Sequence, residues 1–148
     1  NFSLSREDYI SQIDGKTAAL FEAAASLAAY YAGATPDSCK ALASFGLLAG
    51  RAFQIADDLL DVGGDEAVVG KSLGTDLANG KLTLPLMKLR DNLPEEQRQQ
   101  LQQLFGNENS TGINLADKWP DAWADAVEQT RSELRSYIET AVSHLECL

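Results

Sequence analysis

The sequence is poor in the residues that build several common kinds of functional site. It has one histidine, His144, and two cysteines, Cys39 and Cys147, which lie far apart along the chain. A zinc site needs clustered cysteine or histidine ligands, and a histidine-activated nucleophile needs a histidine beside its partner residues. The sequence therefore predicts neither kind of site. Two distant cysteines favour a reducing, cytoplasmic location over a disulfide framework.

Positive charge and long apolar runs are also scarce. The chain carries 12 lysine and arginine residues against 22 aspartate and glutamate residues, which gives a formal net charge of −10. Because such a surface repels phosphate backbones, we expect no nucleic-acid partner. No run approaches the ~18 apolar residues of a transmembrane helix, so we expect no membrane span. A small anion bridged by metal ions remains compatible, since carboxylates are the ligands that hard cations prefer.

The sequence is rich in alanine and leucine, which recur in helical rather than alternating patterns. Apolar residues follow a 3.6-residue period, and glycine or proline marks the ends of the periodic segments. The predicted helices cover about residues 7–32, 36–62, 83–90, 94–105 and 119 or 121–145, with a short helical turn at 75–78. The residues expected to pack in the core include Phe21, Phe45, Phe53, Trp119 and Trp123. The predicted class is all-α, most simply a helix bundle.

The segment FQIADDLLD, residues 53–61, carries the strongest chemical signal. Residues three or four apart project from one face of a helix, so Asp57 and Asp58 both lie beside Asp61, with Gln54 one turn earlier. Mg²⁺ takes few carboxylates and fills its remaining positions with water and phosphate oxygens. The spacing therefore fits a metal that bridges the protein and a diphosphate. The alternative is an ordinary solvated acidic face.

Three lysines could supply the opposite charge. Lys71 and Lys81 lie in the glycine-rich stretch after the aspartates, and Lys16 lies in Gly15-Lys16-Thr17 within the first predicted helix. Glycine lets the backbone approach a ligand, and lysine neutralises phosphate charge as a point cation. Each of these lysines could equally be an ordinary surface residue. The glycine spacing of a P-loop and the ligand pattern of a calcium loop are both absent from these segments.

Together these segments resemble the C-terminal half of the trans-isoprenyl diphosphate synthases, the polyprenyl synthetase family. FQIADDLLDV resembles the second aspartate-rich motif of the family, and GKSLGTDLANGKLTLPLM resembles the loop and helix that follow it. DGKTAALF resembles the upstream segment with its lysine–threonine pair. The three segments stand in the family's order and at its spacing, across about residues 9–90. The resemblance implies a helical bundle of the isoprenoid synthase type around a central cavity, usually as a homodimer.

The resemblance also implies a reaction and a set of site residues. Isopentenyl diphosphate would be condensed head-to-tail with an allylic diphosphate, through a Mg²⁺-dependent ionisation. The implied metal site comprises Asp57, Asp58, Asp61 and Asp76, of which Asp57 is the expected direct ligand. The implied diphosphate-binding residues are Lys16, Lys71 and Lys81. The implied catalytic residues are Lys71, Thr17 and Gln54, the last two by placing oxygen dipoles near the carbocation.

Parts of the family's pattern are missing from this sequence. It contains no first aspartate-rich motif, no Arg-Arg pair and no N-terminal segment for isopentenyl diphosphate. Since the first residue is Asn1 rather than Met, we expect residues 1–148 to be the C-terminal portion of one domain, cut from a longer protein and inactive alone. The alternatives are a non-catalytic partner subunit or regulatory module of a prenyltransferase, and a terpene cyclase-like lyase. The lysine-bearing loop after Asp61 favours chain elongation over cyclisation, whereas product length and the allylic substrate remain open.

Overall fold

The computed structural model describes residues 1–63, 75–146 and 148. The chain divides into two compact units. We call Asn1–Arg6 with Asp57–Arg131 the aspartate unit, and Glu7–Ala56 with Ser132–Leu148 the threonine unit. All regular elements of the described residues are helical, which confirms the all-α prediction. Among these residues, no helix combines the length and the apolar character that crossing a bilayer requires.

The helices begin and end close to the predicted positions. In chain order they are α1 (Arg6–Ile13), a π-helical turn (Asp14–Ala18), α2 (Ala19–Tyr31), α3 (Pro36–Gly63), α4 (Thr75–Ala78), α5 (Leu84–Asn92), α6 (Glu95–Leu104), a 3₁₀ turn (Glu108–Ser110), α7 (Leu115–Lys118) and α8 (Pro120–Ser143). The sequence patterns predict all of these except the π turn, the 3₁₀ turn and α7. Each of those three elements spans five residues or fewer.

In the threonine unit, the π turn and α2 run antiparallel to α3 and contact it at two glycines. A Cβ atom on Gly46 would lie 2.5 Å from the carbonyl oxygen of Phe21, and one on Gly50 would lie 2.6 Å from the Cα atom of Ala18. No real Cβ atom tolerates such distances from backbone atoms. The helices therefore approach so closely that only glycine fits at either position.

The core of the aspartate unit is built largely from α5 and the helices that follow it. Leu84, Leu86 and Leu89 are each at most 1% exposed. Pro85 lies in the first turn of α5, where the missing N–H group costs the helix no hydrogen bond. Trp119 and Trp123 are also buried, which confirms that both pack in the core.

The expectation that Phe21 and Phe53 pack in the core is wrong for the described residues. Their exposed fractions are 39% and 58%, and the two rings contact each other with centroids 5.6 Å apart. A 3.6-residue pattern identifies an apolar stripe on a helix but does not say which part of that stripe a neighbour covers. Phe45 is partly buried and lines an apolar groove with Phe21.

Candidate functional site

The aspartate unit brings together four of the residues that the sequence analysis singles out. Asp58 and Asp61, near the C-terminal end of α3, are 1% and 4% exposed, and Asp76 in α4 is 9% exposed. The Nζ atom of Lys81 lies 3.3 Å from Oδ1 of Asp58 and 3.2 Å from Oδ2 of Asp76. In these four side chains, which we call the aspartate cluster, two carboxylates contact the ammonium group of Lys81 and the third, Asp61, accepts a hydrogen bond from the backbone of Asp76.

A glycine turn returns Lys81 to the carboxylates. Gly80 follows α4 with φ of +66°, a left-handed conformation that glycine adopts without strain. Its N–H group donates to the carbonyl of Leu77, and the N–H group of Lys81 donates to the carbonyl of Asp76 at 2.8 Å. This pair of bonds is a Schellman motif. Asp76 and Lys81 are therefore joined by a backbone bond as well as by their side chains.

The carboxylate of Asp61 binds the start of α4. Its Oδ1 atom accepts a hydrogen bond from the hydroxyl of Thr75 at 2.8 Å, and its Oδ2 atom accepts one from the backbone N–H of Asp76 at 3.2 Å. N–H groups in the first turn of a helix have no partner within the helix, so a carboxylate is favourable there. Asp61 thus fixes the point where α4 begins, and its oxygens keep lone pairs that could bind a cation.

The charges of the aspartate cluster are out of balance. Burial raises the pKa of Asp76 above its ordinary value, and the negative charges of Asp61 and Asp58 raise it further, while Lys81 opposes the shift. Burial alone would lower the pKa of Lys81, but attraction to Asp58 and Asp76 outweighs it and raises that pKa. Within the described residues, the three carboxylates and one ammonium group of the cluster leave an excess of negative charge, which an added cation would relieve.

The metal assignment itself stays a prediction. Asp57 is partly exposed on α3, and Lys71 lies outside the described residues. Within residues 1–63, 75–146 and 148, no group of three or more histidine, cysteine, aspartate or glutamate side chains is arranged to hold a metal ion. The oxygen donors of the aspartate cluster nevertheless fit the chemistry of Mg²⁺. That ion needs only one or two carboxylates where phosphate oxygens and water complete its coordination.

The threonine unit brings together two more of the predicted residues. The hydroxyl of Thr17, in the π turn, donates a hydrogen bond to Oε1 of Gln54 on α3 at 3.2 Å. Gln54 is 6% exposed, whereas Lys16 in the same turn is exposed to solvent. The contact places two oxygen dipoles side by side. The catalytic roles of Thr17 and Gln54, and the diphosphate-binding role of Lys16, stay predictions.

An ion pair that the sequence does not predict flanks Thr17 and Gln54. The guanidinium of Arg51 donates to both carboxylate oxygens of Asp14, at 2.7 Å and 2.6 Å, and lies 5.9 Å from the ring centroid of Tyr137. Nothing in the sequence pairs two residues that stand so far apart along the chain. The close contact at Gly46 and Gly50 did leave a signal, namely two glycines one helical turn apart in an otherwise apolar helix.

Sequence comparisons find relatives along nearly the whole chain. A sequence profile described as "Polyprenyl synthetase" matches residues 1–118. The chain is 36% identical over 147 residues to octaprenyl diphosphate synthase from Escherichia coli, with 98% of this chain and 45% of that protein covered. It is 40% identical over 145 residues to short chain isoprenyl diphosphate synthase from Methanothermobacter thermautotrophicus, with 98% and 44% covered. The chain therefore spans about half the length of these relatives.

Solved structures also match nearly the whole of this chain and slightly less than half of their own. Polyprenyl synthase from Caulobacter crescentus, complexed with calcium and isoprenyl diphosphate, superimposes with a TM-score of 0.88 at 31% identity, over 99% of this chain and 45% of that chain. Decaprenyl diphosphate synthase from Rhodobacter capsulatus gives a TM-score of 0.82 at 34% identity, over 99% and 45%. The similarity in structure thus also extends over slightly less than half of each longer chain.

Proposed function

Because the chain belongs to the polyprenyl synthetase family, we propose that it is the C-terminal portion of an enzyme that condenses isopentenyl diphosphate head-to-tail with an allylic diphosphate. The names of its relatives support a prenyl diphosphate substrate, and the share of their length that the chain covers supports a portion of the enzyme. In the reaction, the allylic C–O bond breaks and diphosphate leaves. The double bond of isopentenyl diphosphate attacks the allylic cation, and a proton is lost.

The observation that carries this proposal is the aspartate cluster, with its buried carboxylates and excess negative charge. We assign Mg²⁺ to Asp57, Asp58, Asp61 and Asp76, with Asp57 as the direct ligand. When bound, Mg²⁺ neutralises the charge that develops on the leaving diphosphate. Asp61 keeps α4 in place through Thr75, and Asp76 holds Lys81 beside the carboxylates. Lys81, and Lys71 in the preceding segment, would add positive charge for the phosphate oxygens.

The threonine unit supplies a different set of groups. Lys16 is exposed, and we assign it to a diphosphate oxygen. Thr17 and Gln54 present oxygen dipoles, which stabilise a developing carbocation without forming a bond to it. Isopentenyl diphosphate itself would bind mainly to the portion of the enzyme that this chain does not contain. A homodimer and a cytoplasmic location belong to the same proposal.

The test is the Mg²⁺-dependent binding of geranyl thiodiphosphate, a poorly ionising allylic analogue, measured by calorimetry. The Asp57→Ala variant should bind at least about tenfold more weakly than the unmodified chain, the loss expected for a group that orients or binds a metal. Asp125→Ala is the matched control, because Asp125 is an exposed helical aspartate of the same unit. Chelation of Mg²⁺ should abolish binding to the unmodified chain. Equal affinities of the Asp57→Ala variant and the unmodified chain would remove the metal assignment.

A second measurement tests whether the chain alone can catalyse the condensation. With Mg²⁺, an allylic diphosphate and isopentenyl diphosphate, the chain alone should form no elongated product, because the missing portion would hold the second substrate. Product formed by the purified chain would show that its residues suffice for condensation.

A further inference from the structure

The π turn interrupts the long N-terminal helix at the residues proposed to face the diphosphate. The backbone N–H of Ala19 donates to the carbonyl of Asp14, five residues back, instead of the usual four. One extra residue in a turn rotates all later side chains by roughly 100° relative to a continuous α-helix. Single π turns inside α-helices frequently occur at functional sites. The position of the turn, at Asp14–Ala18, therefore requires an explanation.

The extra residue changes which side chain meets α3. Tyr9 and Ile13 are buried four residues apart, and the next buried residue is Ala18, five further on. In a continuous α-helix, Thr17 would follow Ile13 onto that face. Instead Ala18 makes the close contact with Gly50, and the hydroxyl of Thr17 reaches Gln54. Thr17 and Ala18, which are neighbours in the chain, thus both contact α3 from within the π turn.

The ion pair of Asp14 and Arg51 holds this turn. Asp14 accepts the five-residue backbone bond through its carbonyl, and its carboxylate accepts two hydrogen bonds from the guanidinium. The side chains of Arg51 and Asp14 are only 22% and 29% exposed. Two parallel bonds of this kind fix direction as well as distance. The ring of Tyr137 lies against the guanidinium and limits its movement further.

We propose that Asp14 and Arg51 are positioning residues: their ion pair fixes the π turn and so sets Thr17 beside Gln54 and orients the turn that carries Lys16. The last step rests on the proposed function, in which Thr17 and Lys16 act on the substrate. The competing explanation is that the ion pair merely joins two helices. That explanation requires no link between the pair and the geometry of Thr17.

Two substitutions break the pair from opposite sides. Arg51→Lys keeps the charge but cannot form two parallel bonds, and Asp14→Asn keeps the shape but removes the charge. The control is Asp37→Asn on α3, whose exposed pair with Lys40 lies at 3.7 Å. The three variants are compared by NMR at the methyl group of Thr17 and the side-chain amide of Gln54. They are also compared by urea unfolding and by Mg²⁺-dependent binding of geranyl thiodiphosphate.

Arg51→Lys and Asp14→Asn should displace the Thr17 and Gln54 signals in the same direction and weaken binding by about tenfold, the low end for residues that orient direct ligands. Asp37→Asn should change neither measurement. Unmoved Thr17 signals in the two variants would overturn the proposal. The proposal would also be overturned if the signals moved while the affinity stayed unchanged, or if the loss of affinity only matched the fraction of unfolded protein.

The same data separate this proposal from the proposed function. If Asp57→Ala fails to weaken binding while the Thr17 signals move as expected, the metal–diphosphate assignment is wrong and the structural role of the pair stands. If Asp57→Ala weakens binding and the two pair variants do not, the positioning role is wrong and the proposed function stands.

Discussion

The two units place polar side chains inside a helical protein by different means. In the aspartate unit, charge holds the buried groups in place, since Lys81 lies between Asp58 and Asp76. In the threonine unit, the contact of Thr17 with Gln54 is neutral and lies near the close approach of the helix backbones at Gly50. The stability of the first arrangement should respond to pH and cations, whereas that of the second should respond to the size of side chains.

The largest expected effect tests whether the stability of the threonine unit depends on close helix packing at Gly50. Gly50→Ala should lower the free energy of unfolding by about 3 kcal/mol, near the upper end for overpacking, because its Cβ would meet the backbone of Ala18 at 2.6 Å. The matched control is Gly15→Ala, whose Cβ would meet nothing within 4 Å. Both substitutions gain roughly 1 kcal/mol of helix propensity, so their difference isolates the steric cost. Urea unfolding followed by circular dichroism measures it.

This comparison is open to contradiction. If Gly50→Ala and Gly15→Ala both leave the chain at least as stable as the unmodified protein, the helices separate freely at Gly50. The threonine unit would then not depend on close packing there. Destabilisation by both variants to the same extent would point instead to a special backbone requirement of glycine.

The next effect tests the dependence on charge. Lys81→Met should lower the free energy of unfolding by about 2 kcal/mol, because Asp58 and Asp76 lose their ammonium partner. The cost should fall below the 3–5 kcal/mol that is typical of fully buried pairs, since the Lys81 side chain is 46% exposed. Mg²⁺ should raise the thermal midpoint of this variant more than that of the unmodified chain, because the cation replaces the lost charge.

Lys40→Met is the control for this experiment. Its exposed pair with Asp37 should contribute at most about 1 kcal/mol, and Mg²⁺ should act on this variant as on the unmodified chain. If Mg²⁺ stabilises all three proteins equally, the cation does not replace the charge of Lys81.

The sequence predicts the long helices and the chemistry of the site better than it predicts their spatial relations. Periodicity, Gly33 and Pro36 define the helices around the first connection, and the spacing of Asp57, Asp58 and Asp61 is itself the signal for a metal–diphosphate site. These features are local, so the chain within one or two turns determines them. The short helical turn at 75–78 was predictable for the same reason.

Other features arise only from contacts between distant segments. The ion pair at the π turn joins Asp14 to Arg51, which lie far apart along the chain, and the exposure of Phe53 depends on what covers one face of α3. Neither leaves a pattern in a single segment. The salt bridges of Lys81 are predictable only in part. The sequence shows the charge of Lys81, but its partners depend on the left-handed turn at Gly80.

The smallest expected effect is a pH dependence that should be confined to the aspartate unit. Since the pKa of Asp76 is raised in the folded state, its contribution to stability is complete below its ordinary value of 3.8 and is lost as pH rises through the folded value. The Asp76→Asn variant has no carboxyl group at this position. As pH rises, its free energy of unfolding should therefore increase relative to that of the unmodified chain, by about 1.4 kcal/mol for each unit by which the pKa of Asp76 is raised.

The titration of Lys81 lies outside the pH range of this measurement. Because its pKa is raised in the folded state, its contribution to stability is complete below the ordinary value of 10.5 and is lost as pH rises through the folded value. Urea unfolding of both proteins at several pH values gives the difference, with Asp125→Asn as the control because that aspartate is exposed. A difference that stays constant with pH, or that favours the unmodified chain as pH rises, would show that Lys81 outweighs burial at Asp76. The aspartate cluster would then already be neutralised without a metal, and the case for a cation at this site would weaken.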